Sequence, residues 1–475
     1  MKIKILFAFL LTLALFNAAY AQTLDKAKLD QFFDRLAEKN KAMGSLTVSR
    51  DNKILYTRAI GYSQINGSER KPATTATRYR VGSITKMFTA TMILQFVEEG
   101  KLKLSDTLDK FFPQIPNAKK ITIEHILTHR SGIHDFIREP DFRAWSLSAR
   151  TKDETLAFIA KGTPDFEPGE KRSYSNASYV LLGYVIEKLA GKSYQDALKK
   201  RITGKLGLKD TYLGTGKPDV SKKESFSYKY AEGWKQQDHI DLSIPGGAGA
   251  IVSTPSDLVK FIQALFDGKL ISQENVNQMK NGIGMSENKL GGKTVYGHSG
   301  GMDGFSSTVF YLPEEKLAVA YTANAKVYSH TSIFNGILDI YYNKPFEIPT
   351  FESIAVSPEI LEKYVGVYSS PGFPLKVTIT RDATTLYAQT TGQSSFPLEA
   401  TAKDKFKFEA AGIVLEFDAT QTNHFFAALC GYIKLETLKV QTRTNHFALK
   451  TKLYVNALQS AFKTLEKMNP IQFSA

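Results

Sequence analysis

Residues 81–97 read VGSITKMFTATMILQFV, and the pattern of this stretch decides the fold. After Ser83 the apolar residues Ile84, Met87, Phe88, Ile93, Leu94, Phe96 and Val97 fall on nearly every side of a helix that stops before Gly100. A helix apolar on most sides is one buried inside a domain. Ser83 and Lys86 stand at i,i+3 at its start, so one turn sets the amine beside the hydroxyl, and the helix N-terminus favours negative charge there. Two readings of the pair stand side by side. In one, Ser83 is a helix cap and Lys86 reaches solvent. In the other, apolar surroundings depress the lysine pKa, and the neutral amine takes the hydroxyl proton. The S-x-x-K spacing recurs at Ser68 with Lys71, Ser286 with Lys289 and Ser460 with Lys463, in polar, loop-like or tail surroundings. The setting of Ser83, behind Gly82 at the head of an apolar helix, is what distinguishes it.

Upstream, residues 24–41 carry Leu29, Phe32, Phe33 and Leu36 at helical spacing, and residues 45–48 and 54–60 alternate as strands around an Asp51-Asn52 turn. Downstream, helical patterns at residues 123–129, 178–189 and 256–265 are separated by glycine-rich loops at Gly246-Gly247 and Gly300-Gly301. Strands at 307–312 and 317–322 and a helix at 332–342 follow. Strands at both ends with helices between predict an α+β domain, an antiparallel sheet whose outer strands come from the two ends of the domain. A linker over 346–356 includes Pro349, and residues 364–368, 376–380, 385–389, 405–408 and 414–417 are short alternating runs of a small β domain. After Ala419 the alternation weakens, and residues 455–468 read as an amphipathic helix.

Two further motifs carry chemistry. Tyr174-Ser175-Asn176 offers a phenol that can relay a proton and an amide that can bind a substrate carbonyl, just after the turn Phe166-Glu167-Pro168-Gly169 and ahead of a helix. His298-Ser299-Gly300, the single H-x-G of the chain, precedes Gly301 and a strand. The amides of Ser83 and Gly301 could then hold the oxyanion of a tetrahedral intermediate, with His298 as a positive or hydrogen-bonding group for a substrate carboxylate.

In this order the three motifs resemble the serine β-lactamase and penicillin-binding-protein family, in its class C β-lactamase and D-alanyl-D-alanine carboxypeptidase branch. Gly100-Lys101-Leu102, the segment ITIEHILTHRSGI at 121–133, Glu167-Pro168-Gly169 and residues 247–255 also look like that branch, so the resemblance covers about residues 25–345. It implies a β-lactamase/transpeptidase-like domain with a helical subdomain, with Ser83 as nucleophile, Lys86 as general base and Tyr174 as proton relay. Asn176, His298 and Gly300 would contact substrate. The implied reaction is acyl transfer through a Ser83 acyl-enzyme on amide, β-lactam or ester carbonyls, cell-wall peptide among them, without cofactor or metal. His298 stands where class C β-lactamases carry lysine, which shifts weight toward esterase, peptidase and D-amino-acid-handling members. The C-terminal β domain resembles the lipocalin-like appendage of some such hydrolases, and the tail after 419 does not match it.

Two rivals use the same residues. Gly297-His298-Ser299-Gly300-Gly301 fits G-x-S-x-G, but that nucleophile elbow must open a helix, and here an alternating strand follows. A non-catalytic peptide or glycan binder on the same fold has no need of a lysine placed to deprotonate a serine.

Composition bounds the rest. The 475 residues are 43% hydrophobic and 23% charged, more chain than one core usually serves. Lys2 and Lys4, an apolar run over 5–16 and Ala19-Tyr20-Ala21 read as an export signal over residues 1–21, so a periplasmic or secreted chain cut near Ala21 is expected, with domains over 22–345 and 357–475. No later run is long enough to span a bilayer. The formal charge of +14 lacks the aromatic-interleaved basic tract of a nucleic-acid binder. Cys430 is the sole cysteine, so no intrachain disulfide forms, and His125 with His129 at i,i+4 are expected to be structural donors rather than zinc ligands.

Overall fold

A computed structural model describes residues 24–439, apart from 231–232, 291, 371–372, 409–412, 418–423 and 430–432. The export signal, Cys430 and the helix expected at 455–468 lie outside the described residues. Helix α1 (Lys26–Glu38) starts at Asp25, whose carboxylate accepts from the Lys28 amide, and leads into the hairpin β1 (Ala42–Arg50) and β2 (Lys53–Ile60). The buried helix is α2 (Thr85–Glu98), entered through a 3₁₀ turn at Gly82–Ile84. Then come α3 (Asn176–Ala190) and α4 (Pro255–Phe266), whose Pro at the first turn lacks the N–H that would go unsatisfied there. Strands β3 (Ser286–Leu290), β4 (Lys293–Met302), β5 (Phe305–Leu312) and β6 (Leu317–Lys326) and helix α5 (His330–Tyr341) complete the unit.

The sheet is antiparallel throughout, in the order β3-β4-β5-β6-β1-β2. One expectation is corrected here. The last strand, β6, is central, between β5 and β1, and the edges are β2 and β3. Its sequence LAVAYTANAK is buried at every position but the last, as a strand covered on both faces must be. On one face lie α1 and α5, with Leu29, Phe32, Phe33 and Leu36 fully buried and Phe33 edge-on to Tyr321 at 5.9 Å. Each such side chain contributes roughly 1.5–3 kcal/mol. On the other face α2 and α4 meet through Phe88 stacked on Phe261 at 3.7 Å.

Gly300-Gly301, read as a loop from sequence, belongs to strand β4, paired with Ser307 and Ser306. Beyond residue 345 the chain packs as it crosses, with Phe346 against Phe32 at 5.0 Å, and the Ile354 amide donates to Ala400 O at 2.9 Å. The C-terminal unit is a closed barrel of eight strands. These are β7 (Gly366–Ser370), β8 (Phe373–Asp382), β9 (Thr385–Thr390), β10 (Phe396–Ala402), β11 (Lys405–Phe408), β12 (Ile413–Phe417), β13 (His424–Leu429) and β14 (Ile433–Lys439). Three of these strands go beyond the runs legible in sequence, two of them past residue 419. Pairing of β14 with β7 closes the ring and removes both edges.

Candidate active site

The site forms where the start of α2, the start of α3 and strand β4 converge. Ser83 lies in the 3₁₀ turn, partly accessible, while Lys86 one turn on is fully buried. The Ser83 hydroxyl does not cap the helix. Its Oγ instead lies 3.1 Å from Lys86 Nζ and 2.9 Å from the Tyr174 hydroxyl, which donates to it. The middle residue of Tyr174-Ser175-Asn176 does the capping: Ser175 accepts from the Ser178 amide, and this anchors both neighbours at the head of α3.

Lys86 is held by three oxygens. Besides Ser83, its amine donates to Asn176 Oδ1 at 2.8 Å and to Ala248 O at 2.9 Å. The Asn176 orientation is fixed from behind, because its Nδ2 and its backbone amide each donate to a different oxygen of Asp135, both at 3.0 Å. Burial drives the Lys86 pKa down from 10.5 to about 7, opposed by the attraction of Asp135. A neutral amine has two hydrogens and one lone pair. The hydrogens satisfy Asn176 Oδ1 and Ala248 O, neither of which can donate at that contact, and the lone pair is left facing the Ser83 hydroxyl. Tyr174 moves the opposite way: burial raises its pKa, so the phenol stays protonated and donating.

His129, whose φ is +59°, stacks under Tyr174 with ring centres 4.3 Å apart, and its Nδ1 accepts from the Ser175 amide at 3.3 Å. Burial, then the Lys86 charge, pushes it well below the usual histidine value. Its partner at i,i+4, His125, turns away to accept at Nδ1 from the Thr122 amide, capping a short helix.

On the opposite wall, β4 approaches the Ser83 turn closely. A Cβ on Gly300 would fall 2.0 Å from Val81 O and 2.9 Å from Ser83 N, and one on Gly82 (φ +52°) would fall 3.0 Å from Gly301 N. Side chains at either position would force the strand away, so the two glycines bring the Ser83 and Gly301 amides to one place. Ser83 N belongs to a first helical turn, where amides lack an intrahelical acceptor. His298 is half-buried, and its Nδ1 lies 2.5 Å from Ser299 O. A carbonyl only accepts, so Nδ1 carries the proton and Nε2 presents a lone pair. Burial and the Lys86 charge hold its pKa down to about 4, so near neutrality this imidazole is uncharged. Ser299 sits mid-strand opposite Thr308, with no helix after it.

The structure thus brings together Ser83, Lys86, Tyr174, Asn176, His298, Gly300 and Gly301. It adds Asp135, His129 and the carbonyl of Ala248, which sequence reasoning missed as parts of the site. For Asp135 no local signal exists in GIHDFI. For Ala248 the glycine-rich stretch 246–249 was a hint, since Gly247 packs directly on Gly183 of α3.

A buried lysine, a serine and a tyrosine between a helix start and strand β4 of the sheet define a serine hydrolase of the β-lactamase/transpeptidase fold. A family model described as Beta-lactamase matches residues 29–335, and the chain belongs to that family, whose members are serine hydrolases. Penicillin-binding protein 4* of Bacillus subtilis (strain 168) is 26% identical over 429 residues, covering 82% of this chain and 93% of that protein. The octameric penicillin-binding protein homologue from Pyrococcus abyssi superposes with a TM-score of 0.61 at 27% identity, over 88% of this chain and all of its own. The D-amino acid amidase from Ochrobactrum anthropi SV3, solved in complex with L-phenylalanine amide, gives 0.60 at 28% identity, over 67% of this chain and 98% of its own.

Proposed function

We propose that this chain hydrolyses acyl donors through a covalent intermediate on Ser83, with D-amino-acyl amides, peptides, β-lactams and esters as the substrate class. One observation carries the reading: Ser83 Oγ lies between a buried amine at 3.1 Å and a phenol at 2.9 Å. Lys86 in its neutral form takes the hydroxyl proton as Oγ attacks the carbonyl, and Tyr174 passes a proton to the leaving group. The amides of Ser83 and Gly301 hold the oxyanion, Asn176 orients Lys86 and meets the substrate carbonyl side, and water then releases the acyl group. A D-amino acid amidase and a penicillin-binding protein among the relatives support the D-amino-acyl part of the reading. The sequence of residues 1–21 supports action outside the cytoplasm, with residues 22–345 as the catalytic unit and the β-rich unit over 357–475 appended to it.

Labelling with a fluorescent penicillin tests the nucleophile. The wild type is expected to give a covalent band that Ser83→Ala and Lys86→Ala lack at unchanged circular dichroism. A Ser83→Ala protein that turns over a p-nitrophenyl ester like the wild type removes Ser83 from this role. Rates on nitrocefin, a D-Ala-D-Ala peptide and a short-chain ester, measured side by side, then rank the substrates.

A further inference from the structure

A buried carboxylate holds the turn that follows Gly301. Asp303 has φ +52°, a conformation that aspartate and asparagine tolerate better than most residues, and its side chain is 1% exposed. The groups that reach this carboxylate among the described residues are donors. The Ile240 amide lies 3.3 Å from Oδ1 and 3.2 Å from Oδ2, Arg143 Nη1 donates to Oδ1 at 2.9 Å, and Arg80 Nη1 lies 3.9 Å from Oδ2. Arg143 stands on a short helix (Phe142–Trp145), and its Nη2 donates to Asp238 O at 2.8 Å. Gly304, next in the turn, donates its amide to Ser227 Oγ at 3.1 Å, and Ser227 in turn donates its own amide and hydroxyl to His239 Nε2, both at 3.0 Å. The turn is thus fixed at two successive residues, 303 and 304, to Ser227, His239 and Ile240.

Arg80 makes the other half of the connection. It lies three residues before Ser83 and is as buried as Asp303, and the Val81 amide after it donates to Ile251 O at 3.0 Å. Its Nη1 donates to Ile240 O at 2.8 Å and its Nη2 to Gly216 O at 2.7 Å. Ile240 therefore accepts from Arg80 at its carbonyl and donates to Asp303 from its amide, so one residue's backbone joins the segment ahead of Ser83 to the turn behind Gly301. Those two segments carry the amides assigned to the oxyanion, which must stand about 2.7–3.1 Å from it to act. Gly82 and Gly300 permit the close approach of turn and strand, but a missing side chain sets no distance. The Arg80-Ile240-Asp303 bridge does.

We propose that Asp303 is a positioning residue for the oxyanion hole, setting the Gly301 amide against the Ser83 amide through Ile240 and Arg80 without touching substrate. The proposal rests on the Ser83 reading of the site, and the experiment separates the two. Asp303→Asn keeps the size of the side chain and tolerates the positive φ, but its NH₂ must face a neighbouring N–H, donor against donor, so the turn shifts and takes Gly301 with it. The probes are p-nitrophenyl acetate and its thiono analogue, with C=S in place of C=O, each rate normalised to its hydroxide reaction. Sulfur is larger and a weaker acceptor, so a hole dimensioned for oxygen prefers the oxo ester, and displaced donors lose that preference. The readout is the oxo/thiono ratio of kcat/KM in the wild type, Asp303→Asn, Arg143→Gln and Phe33→Leu, the last a control that loosens the core on the α1 face of the sheet. The wild type is expected to favour the oxo ester by about 10²-fold, the worth of one donor. Asp303→Asn should cut the ratio by about tenfold through the oxo rate, and Arg143→Gln, at a side chain 36% exposed, should cut it less. Phe33→Leu should lower the urea midpoint and keep the wild-type ratio, which a merely structural role for Asp303 would also do. A folded Asp303→Asn with the wild-type ratio, or an equal fall in Phe33→Leu, overturns the proposal and leaves the nucleophile standing; if Asp303→Asn does not fold, Arg143→Gln decides in the same way. A wild-type ratio near one overturns the oxyanion hole and the proposal together, whereas a Ser83→Ala enzyme active on the oxo ester overturns the nucleophile.

Discussion

Replacing Lys86 with arginine, and titrating the wild type beside it, tests whether a neutral amine drives acylation. Burial lowers the Lys86 pKa from 10.5 to about 7. At pH 7 about half the molecules then carry a free lone pair, against roughly 0.03% for an ordinary lysine, a gain of about a thousandfold. The sign follows directly: the reactive form is the deprotonated one, so the acylation rate should rise about tenfold per pH unit below pH 7 and level off above it. Arginine stays charged at every accessible pH and cannot accept the proton, so Lys86→Arg should lose at least about 10³-fold. The assay is single-turnover acylation by a p-nitrophenyl ester from pH 5 to 9. The same group has a stability signature. Unfolded chains keep this lysine protonated up to about 10.5, while the folded protein releases the proton near 7, so the unfolded state binds more protons in that window. Stability of the wild type relative to Lys86→Met should therefore rise with pH between about 7 and 10.5, by at most about 1.4 kcal/mol per pH unit. An acylation rate flat from pH 5 to 9, or a Lys86→Arg enzyme acylated at the wild-type rate, refutes the reasoning.

Asp135 favours the charged form of Lys86, so Asp135→Asn should move the acidic limb of the acylation profile to lower pH, and a shift to higher pH would contradict the electrostatics. Gly300→Ala would place a methyl 2.0 Å from Val81 O; the strand must retreat from Ser83, and acylation should fall by about 10²–10³ with circular dichroism unchanged. Asp303 is buried, bonded to Arg143 at 2.9 Å and 3.9 Å from the buried Arg80 that leads into the Ser83 turn. Asp303→Ala leaves Arg80 without that counter-charge and should cost about 3–5 kcal/mol in urea denaturation; a loss below about 1 kcal/mol would show the pair to be dispensable.

The parts of this fold that depend on near neighbours in sequence were legible, and those that depend on distant ones were not. The run of apolar residues after Ser83 announced a buried helix because burial on all sides leaves no polar face to read. Strand β6 is as apolar as α2, yet its central place is a matter of which strands pair with it, and no residue in it records that its neighbours are β5 and β1. Gly300 and Gly301 read as a loop because glycine usually marks one. Here they sit in a regular strand, and the missing side chain of Gly300 makes room for residues 81–83, more than 200 positions away. Asp135 left no trace for the same reason: an acidic residue between apolar ones looks like any surface turn until Asn176 is set against it. In the barrel, β12 alternates and was read, while β13, HFFAAL, is apolar at every position after its histidine, which hid its period.

Spacing alone does not make the chemistry, as the other S-x-x-K pairs show. Ser68 and Lys71 lie exposed on a hairpin, and Ser286 and Lys289 lie on the edge strand β3, where the Lys289 amine reaches the Thr294 hydroxyl. Both of those lysines are open to solvent. Lys86 differs in having no exposed surface, two acceptors for its two remaining hydrogens, and a hydroxyl on its third side. Those acceptors come from α3 and from the Gly246–Gly249 turn, so the basicity of one residue is set by two segments far from it in sequence. Moving either segment would rehydrate the amine or strand a hydrogen, and each change returns Lys86 toward an ordinary lysine.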